Sequence, residues 1–118
     1  MLSETVADIA QRQRDGFVLV AMEDDTFVGS LFCAEKNDSL YLTRMATRPD
    51  LSGRGIGRAI LRAAEDEARG MGLPRLSLRV RQTLPGNLDY FARFGFAVTG
   101  EGREGNRTPF HVMEKIVS

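Results

Sequence analysis

Hydrophobic positions along this chain change their spacing several times, and each change marks an element. Val6, Ile9 and Ala10 recur at helical spacing after the capping residues Ser3 and Thr5 and before the breaker Gly16, which predicts a short amphipathic helix over residues 3–15. Residues 17–22, Phe-Val-Leu-Val-Ala-Met, are a dense β-forming run. An acidic turn at 23–26 joins it to a second run at 27–33, and a turn at Lys36, Asn37 and Asp38 leads to a third at 39–47, which alternates through Leu40 and Leu42 toward Met45. These three segments predict an antiparallel meander.

Helical spacing then returns. Ile56, Ile60, Ala63, Ala64, Ala68 and Met71 lie along one face of a helix that Gly72 ends, with Pro74 beyond it. Residues 75–81, Arg-Leu-Ser-Leu-Arg-Val-Arg, alternate as a strand whose Leu76, Leu78 and Val80 face the core. Strand, helix and strand in this order make a βαβ crossover, so the third strand and residues 75–81 run parallel. Parallel strands that splay at their C-terminal ends leave a slot where open α/β sheets bind ligands. A short helix over 88–94 starts after Pro85, Gly86 and Asn87 and closes at Gly95. A terminal hairpin over 96–100 and 108–117 completes the chain, with Pro109 confining the start of its last strand to an edge or bulge.

The corner between the third strand and the long helix reads Ser52-Gly53-Arg54-Gly55-Ile56-Gly57-Arg58. A helix start has backbone N–H groups without partners and the positive end of the macrodipole, and glycines let an anionic group approach that backbone closely. The pattern G-x-G-x-G is not the G-x-G-x-x-G of dinucleotide folds, and Gly57-Arg58-Ala59 lacks the lysine and hydroxyl of a nucleotide-hydrolase loop. The corner is therefore either a tight turn or a diphosphate cradle of another kind.

Composition narrows the choice of partner. The 118 residues suit a single domain over 1–118, and 16 basic residues balance 16 acidic ones, so no global field favours nucleic acid or an anionic membrane. Positive charge is local instead, at Arg44, Arg48, Arg54, Arg58 and Arg62, the last three sharing one helix face. The single cysteine, Cys33, lies in an apolar strand as a buried structural thiol and fits a cytoplasmic location. No apolar run approaches the ~20 residues that span a bilayer. His111 stands without a cysteine or carboxylate cluster, so no metal is expected.

Residues 42–61, Leu-Thr-Arg-Met-Ala-Thr-Arg-Pro-Asp-Leu-Ser-Gly-Arg-Gly-Ile-Gly-Arg-Ala-Ile-Leu, resemble the acyl-CoA-binding motif of the GNAT superfamily of N-acetyltransferases. Asn87 and the run Phe91-Ala-Arg-Phe-Gly95-Phe96 resemble the same family's second signature. The resemblance implies an α/β (α+β) fold with a mixed, mainly antiparallel sheet around a central βαβ crossover flanked by helices. It implies acetyl-CoA as co-substrate and direct transfer of the acetyl group to a primary amine, on a small molecule or peptide. By the same resemblance, Met45, Ala46 and Thr47 contact the pantetheine arm through main chain. Ser52, Gly53, Arg54, Gly55, Ile56, Gly57 and Arg58 hold the pyrophosphate, and Asn87 and Phe91 adjoin the CoA arm.

The sequence also departs from the family pattern. Ser52 stands where the family usually has Arg or Gln. Phe91 stands where a tyrosine commonly assists the departing thiolate, which leaves the adjacent Tyr90 as the candidate catalytic group. Residues 40–47 carry none of the carboxylates that many members use as a base, and Glu35 or Asp38 acting through water would have to serve. Relative to the family, the chain reads as lacking the usual first strand and helix. The strand at 17–22 is then expected at an exposed sheet edge, which a homodimer partner would cover. These departures keep a second reading open, that of a CoA-binding module with weak or no catalysis acting as a regulatory or subunit domain.

Overall fold

The computed structural model describes residues 5–13, 16–47, 55–83, 85–103 and 109–117, with 5–13 and Pro85 described by backbone alone. The strands are β1 (Thr5–Gln13), β2 (Gly16–Glu23), β3 (Thr26–Lys36), β4 (Ser39–Thr47), β5 (Arg75–Arg81), β6 (Ala97–Arg103) and β7 (Pro109–Ile116). The helices are α1 (Ile56–Gly70), between β4 and β5, and α2 (Pro85–Ala92), between β5 and β6. All strands join one seven-stranded sheet in the order β1-β2-β3-β4-β5-β7-β6. Only β4 and β5 pair parallel, as the crossover requires. This is the mixed, mainly antiparallel α+β architecture the sequence predicts.

The expected meander is β2-β3-β4. Its two connections are tight hairpins with Asp24 and Asp25 (φ 50° and 65°), then Asn37 and Asp38 (φ 50° and 62°), in the left-handed conformation. Two successive positive-φ residues match the strand twist, and Asp and Asn tolerate that region better than most side chains. Along β2, Phe17, Leu19, Ala21 and Glu23 alternate with half-buried neighbours, so one face is committed to the core.

Helix α1 covers that face. Its buried residues Ile56, Gly57, Ile60, Leu61, Ala64 and Ala68 keep the predicted spacing. The small Ala64 and Ala68 let the helix lie close to the sheet, and Gly29 of β3 allows the same approach. A β-carbon on Gly29 would stand 2.9 Å from Ile60 Cδ1. Leu19, Leu31, Leu40, Ile60, Leu76 and Met113 are fully buried in the resulting core, where truncating a leucine to alanine costs roughly 2–5 kcal/mol. At its C-terminus Gly72 (φ 75°) reverses the chain, and Leu73 N–H donates back to Ala68 O at 2.9 Å.

Three expectations are corrected. Residues 3–15, read as a helix, contain β1, which pairs antiparallel with β2 from Thr5↔Glu23 to Gln13↔Gly16. Helical spacing of three apolar residues is a weak preference, and pairing with the exposed ladder of β2 outweighs it. Among the described residues, therefore, no helix precedes β2 and a strand does. Residues 17–22 are consequently not a sheet edge, and the reason for expecting a homodimer partner over them falls away. Finally, β7 lies inside the sheet between β5 and β6. Pro109 is tolerated as its first residue, where its carbonyl accepts from Gln82 N–H at 3.0 Å. Among the described residues no helix is long and apolar enough to cross a membrane.

Candidate active site

The parallel pair that creates the site is short. β4 and β5 are in register only from Ser39↔Arg75 to Tyr41↔Ser77, and beyond those residues they diverge. Two buried serines fasten the closed end, with Ser39 Oγ 2.7 Å from Ser77 Oγ. Ser39 spends its single hydroxyl proton on Lys36 O at 2.8 Å, so the proton between the serines belongs to Ser77.

A bulge bends β4 as it leaves its neighbour. Thr43 pairs with Phe32 and Ala46 with Ser30, so Arg44 and Met45 together oppose Leu31. Arg44 takes φ 55°, which re-aims the strand and sends Arg44 outward while Met45 turns toward α1. The strands thus enclose an open cavity of about 390 Å³. Leu31, Leu61 and Leu78 form its apolar floor, and Asn87, Tyr90 and Phe91 of α2 form one wall. Tyr41, Leu42, Thr43, Arg44, Met45 and Thr47 of β4 form the other, with Arg79 of β5 opposite.

The start of α1 borders this cavity. Its N-cap, Gly55, has φ 81° and offers no side-chain hydrogen bond to the first turn, which contains no acidic residue. Among the described residues no side chain caps that turn, and amides so placed suit an external anion. Gly57 is buried, and a β-carbon there would collide with the Tyr90 hydroxyl and lie 3.1 Å from Met45 Cε. Gly57 has to be glycine for Tyr90 to occupy its place.

Tyr90 is fixed edge-on against two rings, Phe91 at 5.1 Å and Phe94 at 5.0 Å between centroids. Burial raises its pKa above the ordinary tyrosine value, so it stays protonated at neutral pH. Phe91 also meets the buried Phe96 edge-to-face at 5.8 Å and so serves core and cavity together.

The residues singled out in the sequence fall into three groups. Met45, Thr47, Asn87, Tyr90 and Phe91 converge on the cavity. Gly55, Ile56 and Gly57 open α1 beside it, with the Ile56 side chain buried in the core, and Arg58 points outward over the Phe94 ring at 5.4 Å. Ala46 is exposed and pairs with Ser30, away from the lining. Ser52, Gly53 and Arg54 lie outside the described residues.

Glu35 and Asp38 are exposed beside the β3-β4 turn, at the closed end of the strand pair, and neither lines the cavity. His111 Nδ1 lies 3.6 Å from Glu101 Oε1, and no group of metal-ligating side chains occurs among the described residues. Cys33 is buried and free, its pKa pushed up to about 12 by burial and then by Glu67.

Sequence reasoning missed Tyr41, Thr43, Arg44 and Arg79 as cavity residues. Alternation in 75–81 does put Arg79 on the face away from the core, so it was findable; the Arg44 bulge had no sequence signal.

Comparison with known proteins bears on the family and the fold. Residues 2–96 match the acetyltransferase (GNAT) family. Among solved structures, nourseothricin acetyltransferase superposes with a TM-score of 0.77 at 20% identity, over 100% of this chain and 87% of its own. The IAA acetyltransferase from Bacillus cereus gives 0.74 at 19%, over 87% and 79%. The PaiA N-acetyltransferase from Thermoplasma acidophilum, solved in complex with coenzyme A, gives 0.73 at 24%, over 86% of this chain and 61% of that one. Identities this low speak for the fold alone, whereas the family match spans most of the sequence: the chain belongs to the GNAT family of acetyltransferases.

Proposed function

We propose that this protein is an N-acetyltransferase that moves the acetyl group of acetyl-CoA directly to a primary amine. The observation that carries the reading is the junction of the β4/β5 slot with the glycine-capped start of α1, where Gly57 leaves room for the Tyr90 hydroxyl. The residues fit the coenzyme. Main-chain N–H groups of Ile56, Gly57 and Arg58, with the loop of Ser52, Gly53 and Arg54, hold the pyrophosphate. Beyond Tyr41 the β5-facing edge of β4 has no strand partner, and there the main chain of Met45, Ala46 and Thr47 meets the pantetheine amides while Asn87 and Phe91 flank the arm. That a neighbour of this fold is solved in complex with coenzyme A supports acyl-CoA as the co-substrate.

In the transfer, the amine nitrogen forms a C–N bond with the acetyl carbon as the C–S bond breaks, and the surplus amine proton passes to water. Tyr90 donates a hydrogen bond to the departing sulfur. With its pKa raised it is a weaker acid than a thiol, so it stabilises the thiolate without surrendering its proton fully.

One observation favours the alternative of a CoA-binding module with weak catalysis: among the described residues no carboxylate lines the cavity, so no side-chain base stands beside the amine. Following free thiol while the protein is incubated with acetyl-CoA and a panel of amines separates the two. Thiol release that depends on an amine supports transfer; a coenzyme-induced rise in Tm with no release supports the binding module.

A further inference from the structure

The cavity is lined by side chains from both faces of the sheet, and the two sets differ in charge. On one face stand α1, Met45 and Tyr90, the side given above to the coenzyme. The opposite set is formed by side chains that alternation turns away from α1, namely Tyr41, Thr43 and Arg79, together with the outward Arg44.

Both arginines are held by rings. The Arg79 guanidinium lies 4.5 Å from the Phe110 centroid and 5.7 Å from that of Tyr41, and Arg44 lies 5.6 Å from that of Phe32. Stacking fixes the plane of a guanidinium and leaves its N–H edge free to donate in a fork. Neither is ion-paired among the described residues, whereas neighbouring Arg75 on the same face is engaged by Glu114 at 3.2 Å. No carboxylate stands beside Arg79 and Arg44 in the described lining. A polycationic acceptor meets like charge here, while an anion meets two oriented donors.

We infer that the acceptor is a small amine carrying a carboxylate or phosphate, whose anionic group is held by Arg79 and Arg44 on this face. The inference rests on the acetyltransferase reading and names its substrate class. Smallness follows from the cavity, whose volume of about 390 Å³ must also take the thioester end of the coenzyme.

The test compares matched acceptors at saturating acetyl-CoA: O-phosphoethanolamine against ethanolamine, β-alanine against β-alaninamide, and spermidine. A charged hydrogen bond contributes about 1.5–3 kcal/mol, so each anionic amine should exceed its uncharged partner roughly tenfold to a hundredfold in kcat/KM, with spermidine lowest. Arg79→Gln and Arg44→Gln should bring the ratio toward one by raising the acceptor KM, leaving the KM for acetyl-CoA unchanged. Spermidine or the uncharged amines performing equally well, or a ratio indifferent to both substitutions, overturns the inference while leaving acetyl transfer intact. If no amine releases thiol, it is the acetyltransferase reading that fails. Titrating N-acetyl-β-alanine into the CoA-loaded protein then decides the anion site: NMR shifts at the Arg79 side chain that N-acetyl-β-alaninamide does not produce support it, and no shift, or equal shifts with both, overturns it.

Discussion

The hydroxyl oxygen of Tyr90 fills the space that a β-carbon on Gly57 would need. This contact joins α2 to the first turn of α1, and it sets two effects against each other at position 57. Alanine in a helix interior is favoured over glycine by about 1 kcal/mol, but overpacking a filled site costs about 1–3 kcal/mol. Gly57→Ala should therefore destabilise the wild type and become neutral or stabilising in a Tyr90→Phe background, where Met45 Cε can yield. Urea unfolding of the four variants in a double-mutant cycle measures the reversal; equal effects in both backgrounds would count against the contact.

Tyr90→Phe also tests the chemistry. Losing a hydrogen bond to a developing thiolate should lower kcat about tenfold or more, with coenzyme affinity little changed, since the pyrophosphate is held elsewhere. Single-turnover thiol release alongside calorimetric binding of CoA separates the two quantities. A large fall in affinity with an unchanged rate would assign Tyr90 to binding.

The serine pair should show asymmetric costs. Ser77→Ala leaves Ser39 still bonded to Lys36 O and should cost about 0.5–1.5 kcal/mol. Ser39→Ala removes both bonds and leaves the buried Ser77 hydroxyl with one partner fewer, so its cost should be the larger, about 1–3 kcal/mol. Chemical denaturation measures both values, and the reverse order would mean that the proton assignment is wrong.

Cys33 should behave as an inert core thiol. With its pKa pushed up to about 12 from 9.0, it is neutral in the folded protein where an unfolded chain would ionise. Its contribution to stability is present in full below pH 9.0 and is lost as pH climbs toward about 12. Cys33→Ala should flatten the alkaline fall in stability, and an aromatic disulfide reagent at pH 8 should label wild-type Cys33 only as fast as the protein opens. Rapid labelling of the native state would contradict its burial.

Lys115 Nζ, from β7, reaches Glu65 Oε1 of α1 at 2.6 Å, with both side chains only partly exposed. Glu65→Gln should lower stability by about 1 kcal/mol at low salt and by less at high salt, a dependence that thermal melts across ionic strength will show.

Local pattern alone determined much of this protein. The alternation in 17–22 and 75–81, the Asn-Asp and Asp-Asp turns and the one-sided apolar stripe from Ile56 to Ala68 each depend on residues adjacent in sequence or one helical turn apart. Elements of that kind are legible because their period and their breakers are local. The glycines at 55 and 57 were legible too, as a helix start built for close approach. Tertiary structure decided what depends on distant partners. Residues 5–13 became a strand because β2 offered an unpaired edge, a stronger influence than three apolar residues at helical spacing. The bulge at Arg44 arose from register with β3, and Arg79 joined the cavity because β5 separates from β4 after three paired residues. Pairing register and strand divergence are set by which chains of atoms meet in space, and no window of sequence contains both partners.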